Sequence, residues 1–171
     1  MTKRHLLIII LSVVTVAAVV VSAWALFFRE ETPVLAPDYA PQETESNAEP
    51  IEDDDTSKLD SPEGGGAVSL LYSTEVSIDL SDKKATLVFG NPAKSTQDMI
   101  IQLVIQDTVV IQSGRLTPGN QVATLDLLKD AEKLLVAGGY EGKFGVLYYT
   151  QQSGEKAMLN TEIPVTITVT D

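Results

Sequence analysis

The chain has 171 residues, 12 basic against 24 acidic, a formal net charge of −12 and no cysteine. That length leaves room for one modest domain, and the missing cysteine excludes a disulfide framework. With its single histidine at His5, the rest of the chain has no Ser–His or Cys–His catalytic pair and almost no route to a zinc site.

Residues 1–5 are a short basic N-terminus carrying Lys3 and Arg4. Residues 6–28 are an apolar run broken only by Ser12, Thr15 and Ser22, whose hydroxyls can bond back to helix carbonyls. As a helix the run reaches roughly 34 Å, enough for a hydrocarbon core of about 30 Å. Trp24, Phe27 and Phe28 stand at its far end, where aromatic rings favour the membrane–water boundary. Lys3 and Arg4 precede the run and Glu30 and Glu31 follow it. This asymmetry predicts a single-pass signal-anchor in the cell membrane, N-terminus cytoplasmic and C-terminal domain extracellular. The competing reading is a signal peptide cut after Ala25, at Ala23-Trp24-Ala25, which yields a secreted protein.

Residues 29–66 change character. From 30 to 66 there are twelve acidic residues against Lys58, five of the eight prolines, and a closing Gly64-Gly65-Gly66. Such a composition buries too little apolar surface to offset its ordering entropy, which predicts a disordered acidic Pro-rich linker. As a flexible coil it spans roughly 30–37 Å. Asp53-Asp54-Asp55 suggests calcium, but no glycine stands sixth and no glutamate twelfth from Asp53, so the run reads as a solvated acidic stretch.

Residues 67–171 read as β. Val76, Ile78 and Leu80 alternate with Glu75, Ser77 and Asp79, the period of a half-buried strand. A turn at 81–84 leads to a strand at 85–89, which Gly90-Asn91-Pro92 ends. Residues 99–106 carry Ile101, Leu103 and Ile105 on one face and Ile100 and Val104 on the other. A tight connection at Asp107-Thr108 makes a hairpin with 109–112. After a Pro118-Gly119 turn, 121–127 alternates again, and 128–135 offers at most one helical turn. Residues 140–149 form a long strand with Tyr140, Gly142, Phe144, Val146 and Tyr148 on one face. The chain ends with strands at 156–160 and 163–169, where Pro164 marks a start, a bulge or an edge.

Seven or eight short strands at this spacing predict an all-β immunoglobulin-like β-sandwich, with a small β-barrel as the alternative. The stretch 134–142, with Tyr140, resembles the corner of immunoglobulin-like domains, where a tyrosine hydroxyl reaches back to the upstream backbone. Gly142 stands where those domains carry a cysteine, and the only tryptophan is Trp24, so the resemblance is one of architecture. The anchor, the acidic stalk, Phe89-Gly90-Asn91-Pro92, the Tyr140 corner and Asn160-Thr161-Glu162-Ile163-Pro164-Val165 together resemble small single-pass proteins of Gram-positive bacteria. These display one extracellular immunoglobulin-like domain and are mostly uncharacterised. What the resemblance implies is a location.

For function the residues point to no catalytic, cofactor-binding or metal site. No phosphate-cradling loop occurs, since Gly66 is followed by Ala67 with no lysine or helix start. Residues 67–171 hold twelve acidic against eight basic residues, which argues against nucleic acid. The expectation is a non-catalytic binding or scaffold module near the cell surface, with the membrane and an unknown protein or cell-envelope partner. An accessory or regulatory subunit of a neighbouring membrane protein is the alternative. Leu147 and Tyr149, with Val104 and Ile100, are candidates for an exposed apolar patch, unless a second sheet or a loop covers them. A lysine–asparagine isopeptide cross-link is a further candidate, from Lys83 or Lys84 to Asn160 with Glu141 assisting. The plainer reading is two turn lysines and an ordinary asparagine.

Overall fold

The computed structural model describes residues 13–20, 34–61 and 63–171. The chain divides into two compact units, Met1–Thr32 and Pro33–Asp171. In the first, residues 13–20 are α-helical with exposed side chains. The rest of the apolar run 6–28, including the candidate cleavage point after Ala25, lies outside the described residues. Among the described residues no helix is long and apolar enough to cross a membrane.

The second unit is built from β1 (Ala48–Pro50), β2 (Leu71–Tyr72), β3 (Glu75–Asp79), β4 (Lys84–Asn91), β5 (Gln97–Ile105), β6 (Thr108–Gln112), β7 (Asn120–Asp126), β8 (Gly138–Thr150) and β9 (Lys156–Thr170). One 3-10 turn, Ala131–Leu134, stands where the sequence allowed a single helical turn. The strands form one sheet in the order β1-β7-β4-β3-β9-β8-β5-β6, with β2 also on β4. The pairings are antiparallel except β3 with β9, which is parallel. The sheet curls on itself: just past β7, Leu128 N donates to Val110 O of β6 at 2.9 Å.

The inward faces meet in one apolar core. Ile78, Leu87 and Phe89 come from one half, and Met99, Ile101, Leu103, Phe144 and Val146 from the other. Phe89 and Phe144 meet edge to face, centroids 5.5 Å apart at 74°, the geometry the ring quadrupole favours.

Local chemistry sets the turns. Asp79 accepts hydrogen bonds from the Ser81 hydroxyl at 2.7 Å, Ser81 N at 2.9 Å and Asp82 N at 3.1 Å, which closes β3 onto β4. The Ser81 hydroxyl, first among these, holds the Asp79 carboxyl below its ordinary range. The β5–β6 hairpin turns on Gln106 and Asp107, with φ of 48° and 61°, as a two-residue type I′ turn requires. Gly142 has no room for a side chain, because a Cβ would lie 2.7 Å from Val104 O and 2.6 Å from Ile167 Cδ1.

Three expectations change. The strands at 156–160 and 163–169 are one element, β9. Pro164 is tolerated because its nitrogen points the same way as Thr166 N, two residues on, and Thr166 N is the donor to Thr74 O where the β3 side begins. Pro164 therefore falls just beyond the end of that pairing.

The largest change concerns the linker expected at 29–66. Over its described residues this segment is laid along the domain rather than free. Its β1 adds a strand to the edge of β7. Ile51 N donates to Gly119 O at 2.9 Å and Leu59 N to Lys94 O at 2.9 Å. The acids, read from composition as part of a disordered, solvated stretch, include backbone acceptors. Asp54 takes Ala93 N at 2.5 Å and Glu45 takes Gly114 N at 2.6 Å. Lys58, its single base, donates to Ala93 O at 2.6 Å and Ser95 O at 2.9 Å. The segment is held by polar contacts to the domain, with small apolar contacts from Ala36, Ala40 and Ala48. The third change, to the isopeptide candidates, appears with the site.

Candidate functional site: the covered outer face of β5 and β8

Alternation along β5 and β8 sends one set of side chains into the core and the other to the outer face. Ile100 of β5 lies opposite Leu147 of β8, and with Tyr149 they form a second buried cluster, separate from the main core. Ile100 and Tyr149 are 0% exposed and Leu147 4%. The face offered as a candidate exposed patch is therefore covered, as the alternative of a covering loop allowed. Val104, half-buried further along β5, is not part of this cluster.

The cover is the chain's own strap at 34–42. Ala36 and Ala40 pack on the cluster. Gln112 of β6 grips the backbone on both sides: its Oε1 accepts from Ala36 N at 3.2 Å and its Nε2 donates to Val34 O at 2.9 Å. The Tyr149 hydroxyl donates to Pro37 O at 2.9 Å. Ala40 N donates to Gly154 O at 2.7 Å, and Lys156 N to Asp38 O at 2.9 Å. Arg115 Nη2 donates to Gln42 O at 3.1 Å. Each of these six bonds uses a backbone atom of the strap. Burial, then the nearby Asp38 carboxylate, pushes the Tyr149 phenol up to about 12. Beside the strap, buried Asp98 accepts from Gln151 Nε2 at 3.0 Å and faces Arg115 Nη1 at 3.7 Å.

The other candidates are placed as follows. The Tyr140 hydroxyl accepts from Val136 N and donates to Val136 O, both at 3.0 Å, which ties the 3-10 turn region to the start of β8. The cross-link candidates are not brought together. Lys84 pairs with Asp79, which pairs with Thr170, while Asn160 is opposite Leu147 and Glu141 opposite Thr166. At about 3.3 Å per residue, Thr170 is roughly 33 Å along β9 from Asn160, and Thr166 roughly 20 Å. Lys83 pairs instead with Glu132 at 2.8 Å. The isopeptide reading is corrected: the long β9 separates residues that the sequence left free to meet.

A groove of about 680 Å³ lies between Gly64, Gly65 and Gly66 and the β8–β9 end. Its titratable lining is Tyr148, Glu155 and Lys156; the Tyr148 hydroxyl donates to Thr161 Oγ1 at 2.7 Å. Burial raises that phenol too, against the Thr161 bond, which lowers it. Among the described residues no three His, Cys, Asp or Glu side chains stand close enough to hold a metal ion.

No protein-family model matches the sequence, and no curated protein does. Among the solved structures that are similar is AggA, the major subunit of aggregative adherence fimbriae type I from Escherichia coli, at 12% identity and a TM-score of 0.30. The match covers 66% of this chain and 99% of that subunit.

Sequence reasoning missed the strap, Gln112 and Asn91. Prolines at 33, 37 and 41 were the available signal of a conformationally restricted, non-helical segment. Asn91, fully buried, donates through Nδ2 to Gln97 O at 2.9 Å and Leu116 O at 3.0 Å. It pins the end of β4 to the start of β5, which gives Phe89-Gly90-Asn91-Pro92 a structural role.

Proposed function

We propose that this chain is a membrane-anchored extracellular module with an immunoglobulin-like β-sandwich, acting without catalysis as a binding or scaffold element near the cell surface. The architecture is supported by the pairing pattern. β3, β4 and β7 sit side by side, as do β9, β8 and β5, the neighbours expected of strands A-B-E and G-F-C. The Tyr140 hydroxyl reaching back to Val136 adds to it. The anchor rests on residues 6–28 and the charge asymmetry around them. Because the compact unit begins at Pro33, the stretch between it and the run is 29–32 rather than 29–66.

The observation that carries the non-catalytic reading is chemical. Beyond residue 28 there is no histidine or cysteine, and Asp79, Asp54, Lys83, Glu132, Lys143 and Glu162 are engaged in turns, backbone contacts and surface pairs. The test is protease digestion of intact cells carrying an N-terminal and a C-terminal epitope tag. The reading expects loss of the C-terminal tag and survival of the N-terminal one; a protected C-terminal tag contradicts it. Sequencing the mature N-terminus separates the anchor, which keeps the start of the chain, from cleavage, which begins it at Leu26.

A further inference from the structure

We propose that the outer face of β5 and β8 is a peptide-binding site that the chain's own strap fills at rest and that the same segment of a second copy fills when the strap lifts. The site holds the strap by its backbone, which bends at Ala36. Gln112, Tyr149, Arg115, Gly154 and Lys156 contact the strap through its main chain. Main-chain bonds give affinity and the small contacts at Ala36 and Ala40 give specificity. Ile100, Leu147 and Tyr149 form an apolar floor on the solvent side of the sheet, which needs a cover.

The strap is also lightly seated. Val34 is 73% exposed, Leu35 49% and Tyr39 61%, so its large side chains contribute little burial. Ala36 holds φ at 48°, left-handed backbone that costs a residue with a Cβ about 1–2 kcal/mol, and such strain gathers at clamps and switches. The one ligand whose fit is shown is residues 34–42, and a second copy presents that ligand unchanged. A strap in cis competes at an effective concentration on the order of millimolar, so exchange shows most clearly when each copy loses one half of the pairing.

The experiment uses the full chain in detergent, with an Asp82→Cys label site in a protein that has no cysteine of its own. The acceptor carries Ala36→Glu and Ala40→Glu, which dislodge its strap and leave the face intact. The donor carries Gln112→Ala and Tyr149→Phe, which remove three bonds to the strap and leave the strap intact. Energy transfer between donor and acceptor is expected at a concentration at least about tenfold below that at which either variant, or the unmodified chain, pairs with itself. Addition of a synthetic peptide of residues 33–42 is expected to abolish it. Complementary copies that pair no more readily than unmodified ones overturn the proposal, as does pairing that the peptide leaves untouched. Should the acceptor lose its β circular-dichroism signal, Ala40→Glu alone serves as acceptor with the same two outcomes. The result is independent of the membrane reading, because it is measured on dissolved chains.

Discussion

The two faces of β8 are buried by different means. Its inner face, Phe144, Val146 and Tyr148, is closed by the rest of the sheet. Its outer face, Leu147 and Tyr149, is closed by a proline-containing strap from a segment rich in acid. The first closure is apolar packing between regular strands. The second is six main-chain hydrogen bonds and two alanine methyls laid over a small floor. Two adjacent residues, Tyr148 and Tyr149, thus belong to separate structures with separate stabilities. The inner cluster answers to the fold as a whole, the outer one to the strap.

This difference sets the expected sizes of perturbation. Phe144→Ala removes half of the edge-to-face pair that joins the two halves of the curled sheet, and is expected to cost about 3–5 kcal/mol. Chemical denaturation should show one cooperative transition at lower midpoint, because the inner core has no smaller unit to lose. Asn91→Ala removes the bonds to Gln97 O and Leu116 O, of which Leu116 O keeps Met99 N as a donor, and is expected to cost about 1–3 kcal/mol, read in the same way.

Tyr149→Phe keeps the ring and removes the bond to Pro37 O, for about 1 kcal/mol. It should also change the alkaline limb of stability. The phenol is held up to about 12 in the folded chain against an ordinary value near 10, so the unfolded chain releases its proton first. Stability therefore falls as pH rises from about 10 to about 12, with Tyr148, also raised by burial, contributing in the same direction. Thermal melts across that range should show a shallower fall for the Phe variant than for the unmodified chain; parallel curves would mean that Tyr149 is not buried under the strap. The smallest effect is none at all. Intact mass should match the sequence without loss of an ammonia, since Lys84, Asn160 and Glu141 are held apart along β9.

The inner face was legible in the sequence and the outer cover was not, for one physical reason. Strands such as 76–80 and 140–149 announce their buried side by a period of two, because apolar burial is what orders them. Ile101, Leu103 and Ile105 were correctly grouped against Ile100 in that way. The strap carries no such period. Its order comes from backbone atoms, which every residue has, and from partners more than seventy positions away, such as Gln112 for Ala36. Composition placed Glu45 and Asp54 in a disordered acidic linker, whereas they accept bonds from Gly114 and Ala93. The same limit hid Asn91, whose neighbours give no hint that it donates to the start of β5 and to Leu116 at once. The alternation of Leu147 and Tyr149 was read correctly as pointing away from the core. What stood over them was the part that local pattern does not encode.

The central claim is that residues 34–42 are part of the folded domain and close its outer face. Amide hydrogen exchange at Ala40, whose N–H donates to Gly154 O at 2.7 Å, tests it most directly. The account predicts exchange at least about tenfold slower than for the same sequence as a free peptide, and faster than at core amides such as that of Ile101, which donates to Ser113 Oγ. Exchange at Ala40 at the free-peptide rate would contradict it, and would return residues 34–42 to the role of a plain stalk.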